Sequence, residues 1–425
     1  MKNRKFYLFI VPVIIFCVLF CANDIFSKEP DSSPVKPLEK KDIYNELELF
    51  ADTITIVNAN YVDDVNSQDL IYGALKGMLR SLDAHSDFLT PEQYEDIKID
   101  TGGEFGGLGI EITMEDNLLT VVTPLEGSPA QKAGLMPQDK IIKINGEITR
   151  DMNLDDAVKR MRGTPGSEIT LGIMREGEEK IKDYKIKRAV IKIRSVKDAF
   201  ILEDGFGYMR ITEFQQKTGQ EIEKALRALE AEKLTGLILD LRNNPGGLLE
   251  AAVDVSEKFL PKDTLIVSIK GKNKQQNVVF KARSVNSRIN FPMVVLVNKG
   301  SASASEIVAA AIKENERGIV LGTTTFGKGS VQTVIPLRDR SALRLTTSKY
   351  YTPRGNEIHN KGVVPNVIVE KEGQDKAADS APIALIKKIE SGEKESRISL
   401  LRQDNQVKSA LEVLKGIKIY SSFRK

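Results

Sequence analysis

The chain has 425 residues, with 62 Lys and Arg against 59 Asp and Glu, so its net charge is only +3. That length exceeds one ordinary core and favours about two to three domains. The balanced charge points to no nucleic-acid or acidic-polymer partner.

Met1 to Lys5 is basic and Phe6 to Cys21 is an unbroken apolar run, the pattern of an export signal. The run falls between a secretory core and the roughly 20 residues that span a bilayer. Residues 1–26 therefore read as either a cleaved signal peptide or a retained membrane anchor; no A-x-A cleavage site is visible, which leans toward retention. Basic residues stay inside, so the remainder is expected in the cell envelope, in the periplasm or on the exported face of the inner membrane. Both cysteines, Cys17 and Cys21, lie in this run. Disulfides, zinc-thiolate sites and a cysteine nucleophile are thereby excluded from the exported part. Lipid on Cys21 would require Val18-Leu19-Phe20-Cys21 to act as a loose lipoprotein signal, against the bulk of Phe20.

Residues 27–41 carry three prolines and seven charges and read as a flexible linker. From Asp42 to about Ile97, Leu47, Phe50, Ile54 and Val57, then Ala74, Leu75, Met78 and Leu79, recur at helical spacing, which predicts an N-terminal helical domain over 42–102. Short β runs follow: Gly106 to Ile112, Leu118 to Val122, and Ile141 to Ile144 before Asn145-Gly146, a pair suited to a type I′ hairpin. Asn153 to Met161 predicts a short helix, and Glu168 to Arg175 with Lys180 to Ile186 a closing hairpin. This block, 103–188, is large enough to be a domain.

Over 189–370 strand and helix alternate: Phe206 to Ile211, Gly219 to Glu230, Gly236 to Asp240, Leu248 to Phe259, Met293 to Val297, Ser305 to Asn315, Ile319 to Gly322 and Leu343 to Tyr350. The pattern predicts a layered α/β core in a multidomain α/β chain. In 371–425, Ile383 to Ile389 and Val407 to Ile417 predict surface helices docking on the core or on a second subunit, so a homodimer is open.

Three segments can carry chemistry. Asn298-Lys299-Gly300-Ser301-Ala302-Ser303-Ala304-Ser305-Glu306 lies between a buried strand and a helix, where free N–H groups and the helix dipole can stabilise an oxyanion. Ser303 to Glu306 is equally an ordinary S-x-x-E capping box. Thr325-Phe326-Gly327-Lys328-Gly329 sets a lysine between glycines; desolvated beside a serine, such an amine is neutral and can act as a base. Asp240-Leu241-Arg242-Asn243-Asn244-Pro245-Gly246-Gly247 ends a buried strand in glycines whose N–H groups can bind an anion. The two histidines, His85 and His359, read as structural or solvated.

Together these segments resemble the signature of the carboxyl-terminal processing, or tail-specific, proteases. The resemblance implies a serine endopeptidase with a Ser303/Lys328 dyad at the family's spacing, Gln332 holding the lysine amine, and oxyanion donors at Ala304 and at Gly246 or Gly247. It implies a crotonase/Clp-protease-like α/β core with an inserted, β-rich PDZ domain, here 103–188. There Gly106, Gly107, Leu108, Gly109 and Ile110 would offer backbone N–H groups to the carboxylate of a peptide pairing with the strand edge. Ser81-Leu82-Asp83-Ala84-His85-Ser86 resembles a family segment ahead of that domain, with Ala84 where proline is usual. The expected partners are proteins with exposed C-terminal tails; no cofactor or metal is implied.

The expected chemistry is acyl transfer: neutral Lys328 takes the Ser303 proton and returns it to the leaving amine. The PDZ block is expected to gate this site, with Arg162 in the Met161-Arg162-Gly163 turn as the regulatory residue touching the core. Two other readings compete. A phosphate-binding loop is matched by Gly322 to Lys328, but Gly329 replaces the Mg²⁺-ligating hydroxyl and a β-like segment follows. An inactive peptide-binding scaffold would keep the PDZ block alone; intact Ser303, Lys328 and Gln332 argue against it. A zinc protease lacks H-E-x-x-H.

Overall fold

The structure, a computed structural model, describes residues 40–178, 180–272, 274, 277–283, 288–372 and 394–423. The expected signal or anchor, the linker up to residue 39 and the expected helix Ile383 to Ile389 lie outside the described residues. Among the described residues, no helix is long and apolar enough to cross a membrane.

The chain divides after Leu75 into two compact units. The first holds α1 (Lys40–Asn60) and the opening turns of α2 (Ser67–Arg80). In the second, the helical run expected to reach about Ile97 is broken. Asp83 Oδ1 accepts the N–H groups of His85 and Ser86 at 2.7 and 2.8 Å, turning the chain into β1 (Asp87–Leu89). A capping box of Thr90 and Gln93 with Pro91 in the first turn then starts α3 (Pro91–Gly102).

After β2 (Glu104–Gly107) comes the expected β-rich block: β3 (Ile110–Glu115), β4 (Leu118–Pro124), α4 (Pro129–Lys132), β5 (Lys140–Ile144), β6 (Glu147–Ile148), α5 (Leu154–Met161), β7 (Glu168–Met174) and β8 (Lys182–Lys187). Its sheet runs β3-β4-β5-β7-β8. Ile169, Leu171 and Ile173, alternating along β7, pack with Leu119, Val121, Ile141 and Ile144 in one core. Asn145 and Gly146, at φ 50° and 86°, close the β5–β6 hairpin as predicted. Asn153 caps α5 by accepting the Asp156 N–H at 2.8 Å. β9 (Ala189–Lys192) pairs antiparallel with β2 and closes the neck of the block.

The core follows as β10 (Val196–Glu203), β11 (Phe206–Ile211), α6 (Thr218–Ala231), β12 (Gly236–Asp240), α7 (Leu249–Ser256), β13 (Leu265–Gly271), β14 (Val278–Lys281), β15 (Met293–Val297), α8 (Ala304–Glu314), β16 (Ile319–Gly322), β17 (Ser330–Pro336), β18 (Ala342–Tyr351), β19 (Val367–Ile368), α9 (Lys394–Leu401) and α10 (Asn405–Ser422). The main sheet has the order β10-β11-β12-β15-β16-β19 and is parallel from β11 onward. Such a sheet needs cover on both faces. Leu237, Leu239, Val295 and Val297 point into the cluster built by α6, α7 and α8. Ile238, Val294 and Leu296 meet Val407, Ala410, Leu411 and Leu414 of α10. Burying each such side chain stabilises by roughly 1.5–3 kcal/mol. A second, antiparallel sheet has the order β1-β18-β13-β14, with β17 on β18; β1, β13 and β14 have no counterpart in the sequence reading.

Candidate active site

Neighbouring parallel strands end on the same side of a sheet, so the loops after β12, β15 and β16 are delivered to one place. These are the three segments singled out in the sequence. They are laced together: Ser301 Oγ donates to the Leu241 carbonyl at 2.7 Å and Ser305 Oγ to the Asn244 carbonyl at 2.9 Å. Phe326 N–H reaches the Ser301 carbonyl at 3.0 Å.

Ser303 sits at the N-terminus of α8 with φ 53° and ψ −114°, a strained conformation for a residue with a Cβ, worth about 1–3 kcal/mol. The turn is held by Glu306, which is completely buried. Its Oε2 accepts the N–H groups of Ser303 at 2.8 Å and Lys328 at 2.9 Å. Its Oε1 accepts Thr325 Oγ1 at 2.6 Å and the Gly327 N–H at 2.7 Å. Four donors satisfy the buried carboxylate. The expected capping glutamate is therefore also the clamp between serine loop and lysine loop.

Lys328 is half-buried. Desolvation, and after it the Arg344 cation, pushes its ammonium below the ordinary lysine range, with the Glu306 carboxylate opposing. Arg344 is fixed on β18, where its Nε donates to the His85 carbonyl at 3.1 Å. His85 is held below the ordinary imidazole range by burial and by the charge of Lys328, with Asp83 opposing and His359 and Arg344 adding smaller effects. Both histidines thus lie in the electrostatic reach of this site, which the sequence reading missed.

Tyr350 was also missed. It is 2% exposed and its phenol donates to the Lys328 carbonyl. No local pattern in Leu343 to Tyr350 signals this, because the contact depends on β18 lying beside β17.

Gln332 does not hold the lysine amine in this structure. Its Nε2 donates to Ser330 Oγ at 2.9 Å and Thr346 Oγ1 at 3.3 Å. Thr346 in turn reaches Asp83 Oδ1 at 3.3 Å, so the Asp83 to Ser86 segment is tied to the same network.

At the glycine turn, Gly246 lies against Ser303 Cβ and the Ala304 nitrogen. Its own N–H donates to Asn244 Oδ1 at 2.9 Å. Gly247, at φ 137°, packs so closely on the Phe214 backbone that a Cβ would collide. Among the described residues, the N–H groups of Gly247 and Ala304 have no acceptor, which favours Gly247 over Gly246 as partner of Ala304 in an anion site.

In the β-rich block, an apolar groove of about 270 Å³ runs between β3 and α5, lined by Gly107, Leu108, Gly109 and Ile110 together with Leu154, Val158 and Met161. The N–H groups of Leu108 and Gly109 have no acceptor among the described residues. Gly106 is not part of the lining; it packs on the Gly163 carbonyl. Arg162, at the groove's end, bonds Asp96 at 3.1 Å and lies 4.9 Å from the Phe105 ring centre, while its Nε is buried without a partner. It contacts α3 and β2 here.

A model of peptidase family S41 matches residues 205–369, a PDZ-domain model residues 96–174, and a model of the activating protease CtpB N-terminal domain residues 18–90. The carboxy-terminal-processing protease of Bartonella bacilliformis is 44% identical over 336 residues, covering 78% of this chain and 77% of that protein. The carboxyl-terminal-processing protease of Synechocystis sp. is 35% identical over 352 residues, covering 77% and 81%. The carboxy-terminal processing protease CtpB of Bacillus subtilis is 37% identical over 319 residues, covering 74% and 66%.

Proposed function

The chain belongs to the carboxy-terminal processing serine proteases of peptidase family S41, and from that premise we propose that it cleaves with Ser303 as nucleophile and Lys328 as general base. The inactive-scaffold alternative finds no support among relatives that are named as proteases. The observation that carries the proposal is the shared Glu306 carboxylate, which fixes the backbones of both residues at once, beside a lysine that burial drives toward neutrality.

Neutral Lys328 takes the Oγ proton as Ser303 attacks the scissile carbonyl carbon. The oxyanion is met by the N–H groups of Ala304 and Gly247. Collapse breaks the C–N bond, and the proton on Lys328 passes to the leaving amine. Water, deprotonated by the same amine, then releases the acyl group from Ser303. Gln332 is assigned to the amine in the working state, which requires it to leave Ser330 and Thr346. Loss of peptide cleavage in both Ser303→Ala and Lys328→Ala, with folding retained, tests this assignment.

Substrates are proteins, and we assign the PDZ groove to the free carboxyl end of an extended tail, with its carboxylate on the Leu108 and Gly109 N–H groups. Residues 42–102, 103–188, 189–370 and 371–425 are taken as helical domain, PDZ domain, protease core and C-terminal extension. Gating by the PDZ block finds support in contacts that run through α3, which Arg162 of the block bonds at Asp96. Thr101 accepts the Gln216 N–H at 3.1 Å, and Phe214 bonds Gly246 and Leu248 on either side of Gly247. An enzyme whose rate is unaffected by removal of 103–188 would refute the gate. The basic and apolar N-terminus supports a place in the cell envelope, membrane-attached or released, and the terminal helices leave a homodimer open.

A further inference from the structure

The pairing of β17 with β18 slips between Val331 and Gln332, and the slip sets Gln332 directly opposite Thr346. Irregularities of this kind re-aim side chains beside active sites. Both side chains are half-buried. The Gln332 amide donates from Nε2 to Thr346 Oγ1 at 3.3 Å and to Ser330 Oγ at 2.9 Å, so both of its N–H bonds are engaged. A hydroxyl that accepts in this way still has one proton to give, and Thr346 gives it to Asp83 Oδ1 at 3.3 Å. The Thr346 backbone N–H goes to Ser86 Oγ at 3.1 Å, and Ser86 Oγ donates to Asp83 Oδ2 at 2.8 Å. Arg344, two residues earlier on β18, bonds the His85 carbonyl. The Asp83 to Ser86 turn thus grips β18 by backbone and side chain. That turn leads through β1 into α3, whose Asp96 holds Arg162 at the end of the apolar groove.

We propose that Thr346 is a positioning residue: anchored by Asp83, it holds Gln332 off the Lys328 amine while the groove is empty, and a tail in the groove frees the glutamine. The inference rests on the assignment of Gln332 to the amine in the working state and adds the residues that restrain it. The restraint is light enough to be reversed, since Thr346 contributes one neutral hydrogen bond to the amide. Its loss strands no buried charge. Asp83 keeps the N–H groups of His85 and Ser86 and the Ser86 hydroxyl.

The test is cleavage by the full chain of one peptide in two forms, amidated, so that it offers no tail carboxylate, and with a free carboxyl end. In Thr346→Val, kcat for the amidated form should rise about two- to tenfold, the worth of one neutral hydrogen bond, while kcat for the free acid stays put. Thr346→Ser keeps the hydroxyl and should keep the wild-type ratio of the two rates. In a Gln332→Ala background Thr346→Val should change nothing, the mark of a residue that acts through Gln332. A folded Thr346→Val with the wild-type rate on the amidated peptide, or the same acceleration without Gln332, overturns the proposal. Should Thr346→Val fail to fold, crystal structures of the wild type decide. Gln332 Nε2 should lie on Thr346 Oγ1 without a tail peptide and away from it with one, and an unaltered contact overturns it. The underlying reading fails separately, if Gln332→Ala cleaves the free-acid peptide with full kcat.

Discussion

The backbone N–H groups of Ser303 and Lys328 converge on one oxygen of the buried Glu306 carboxylate, at 2.8 and 2.9 Å. The two residues come from loops after different strands, β15 and β16, so their registration depends on this carboxylate more than on sequence proximity. In Glu306→Gln, one oxygen would have to serve four donors while an NH₂ group faces N–H groups. We expect a loss of stability of about 3 kcal/mol and a fall in kcat on the order of 100-fold from misplacement, with KM little altered. Thermal unfolding and steady-state kinetics check this; a folded variant with full kcat contradicts the clamp.

After desolvation, the like charge of Arg344 pushes Lys328 down. Lys328 works as a base only when neutral, so activity rises with pH through its pKa. Arg344→Gln removes a cation, stabilises the ammonium form and raises that pKa. The acid limb of the kcat/KM profile should move to higher pH while the alkaline plateau stays put. Glu306, His85 and His359 share the site, so the comparison belongs in the His85→Gln, His359→Gln background as well as in wild type.

Val158 is half-buried on α5 and faces the apolar groove. Val158→Glu places bulk and negative charge where a tail carboxylate is assigned. KM for a peptide with a free apolar carboxyl end should rise at least about tenfold, with no change for the same peptide amidated. Equal effects on both peptides would remove the groove from tail recognition.

Asp404 joins the last helix to the strand that feeds the glycine turn. It caps α10 and its two oxygens accept Arg242 Nη1 at 3.0 and 2.8 Å. Arg242 keeps Asp240 and Gln406, so Asp404→Ala should lower stability by about 2–3 kcal/mol without unfolding the core. Denaturant melting, with proteolytic release of α10, measures it.

The parallel core was legible because its strands are short apolar runs such as Met293 to Val297, bounded by turn residues and separated by helical spacing. The Asn145-Gly146 hairpin was legible because its two positive φ values are written in the residue types. β1 was not: three residues cannot display an alternation, and Phe88 is buried by a strand over 250 positions away. At the site, the serine and lysine segments were visible as motifs, but Glu306 read only as a helix cap and Tyr350 as one more strand residue. Their roles arise from loops meeting in space. The left-handed φ of Ser303 left no mark, since nothing in Ala302-Ser303-Ala304 demands it.

The most direct measurement is acyl-enzyme trapping with a tail-bearing peptide ester, followed by mass spectrometry of the adduct. One acyl group per chain should appear on Ser303, be absent in Ser303→Ala, and form at least about 1,000-fold more slowly in Lys328→Ala. An adduct on any other residue, or acylation of Lys328→Ala at the wild-type rate, would contradict the dyad.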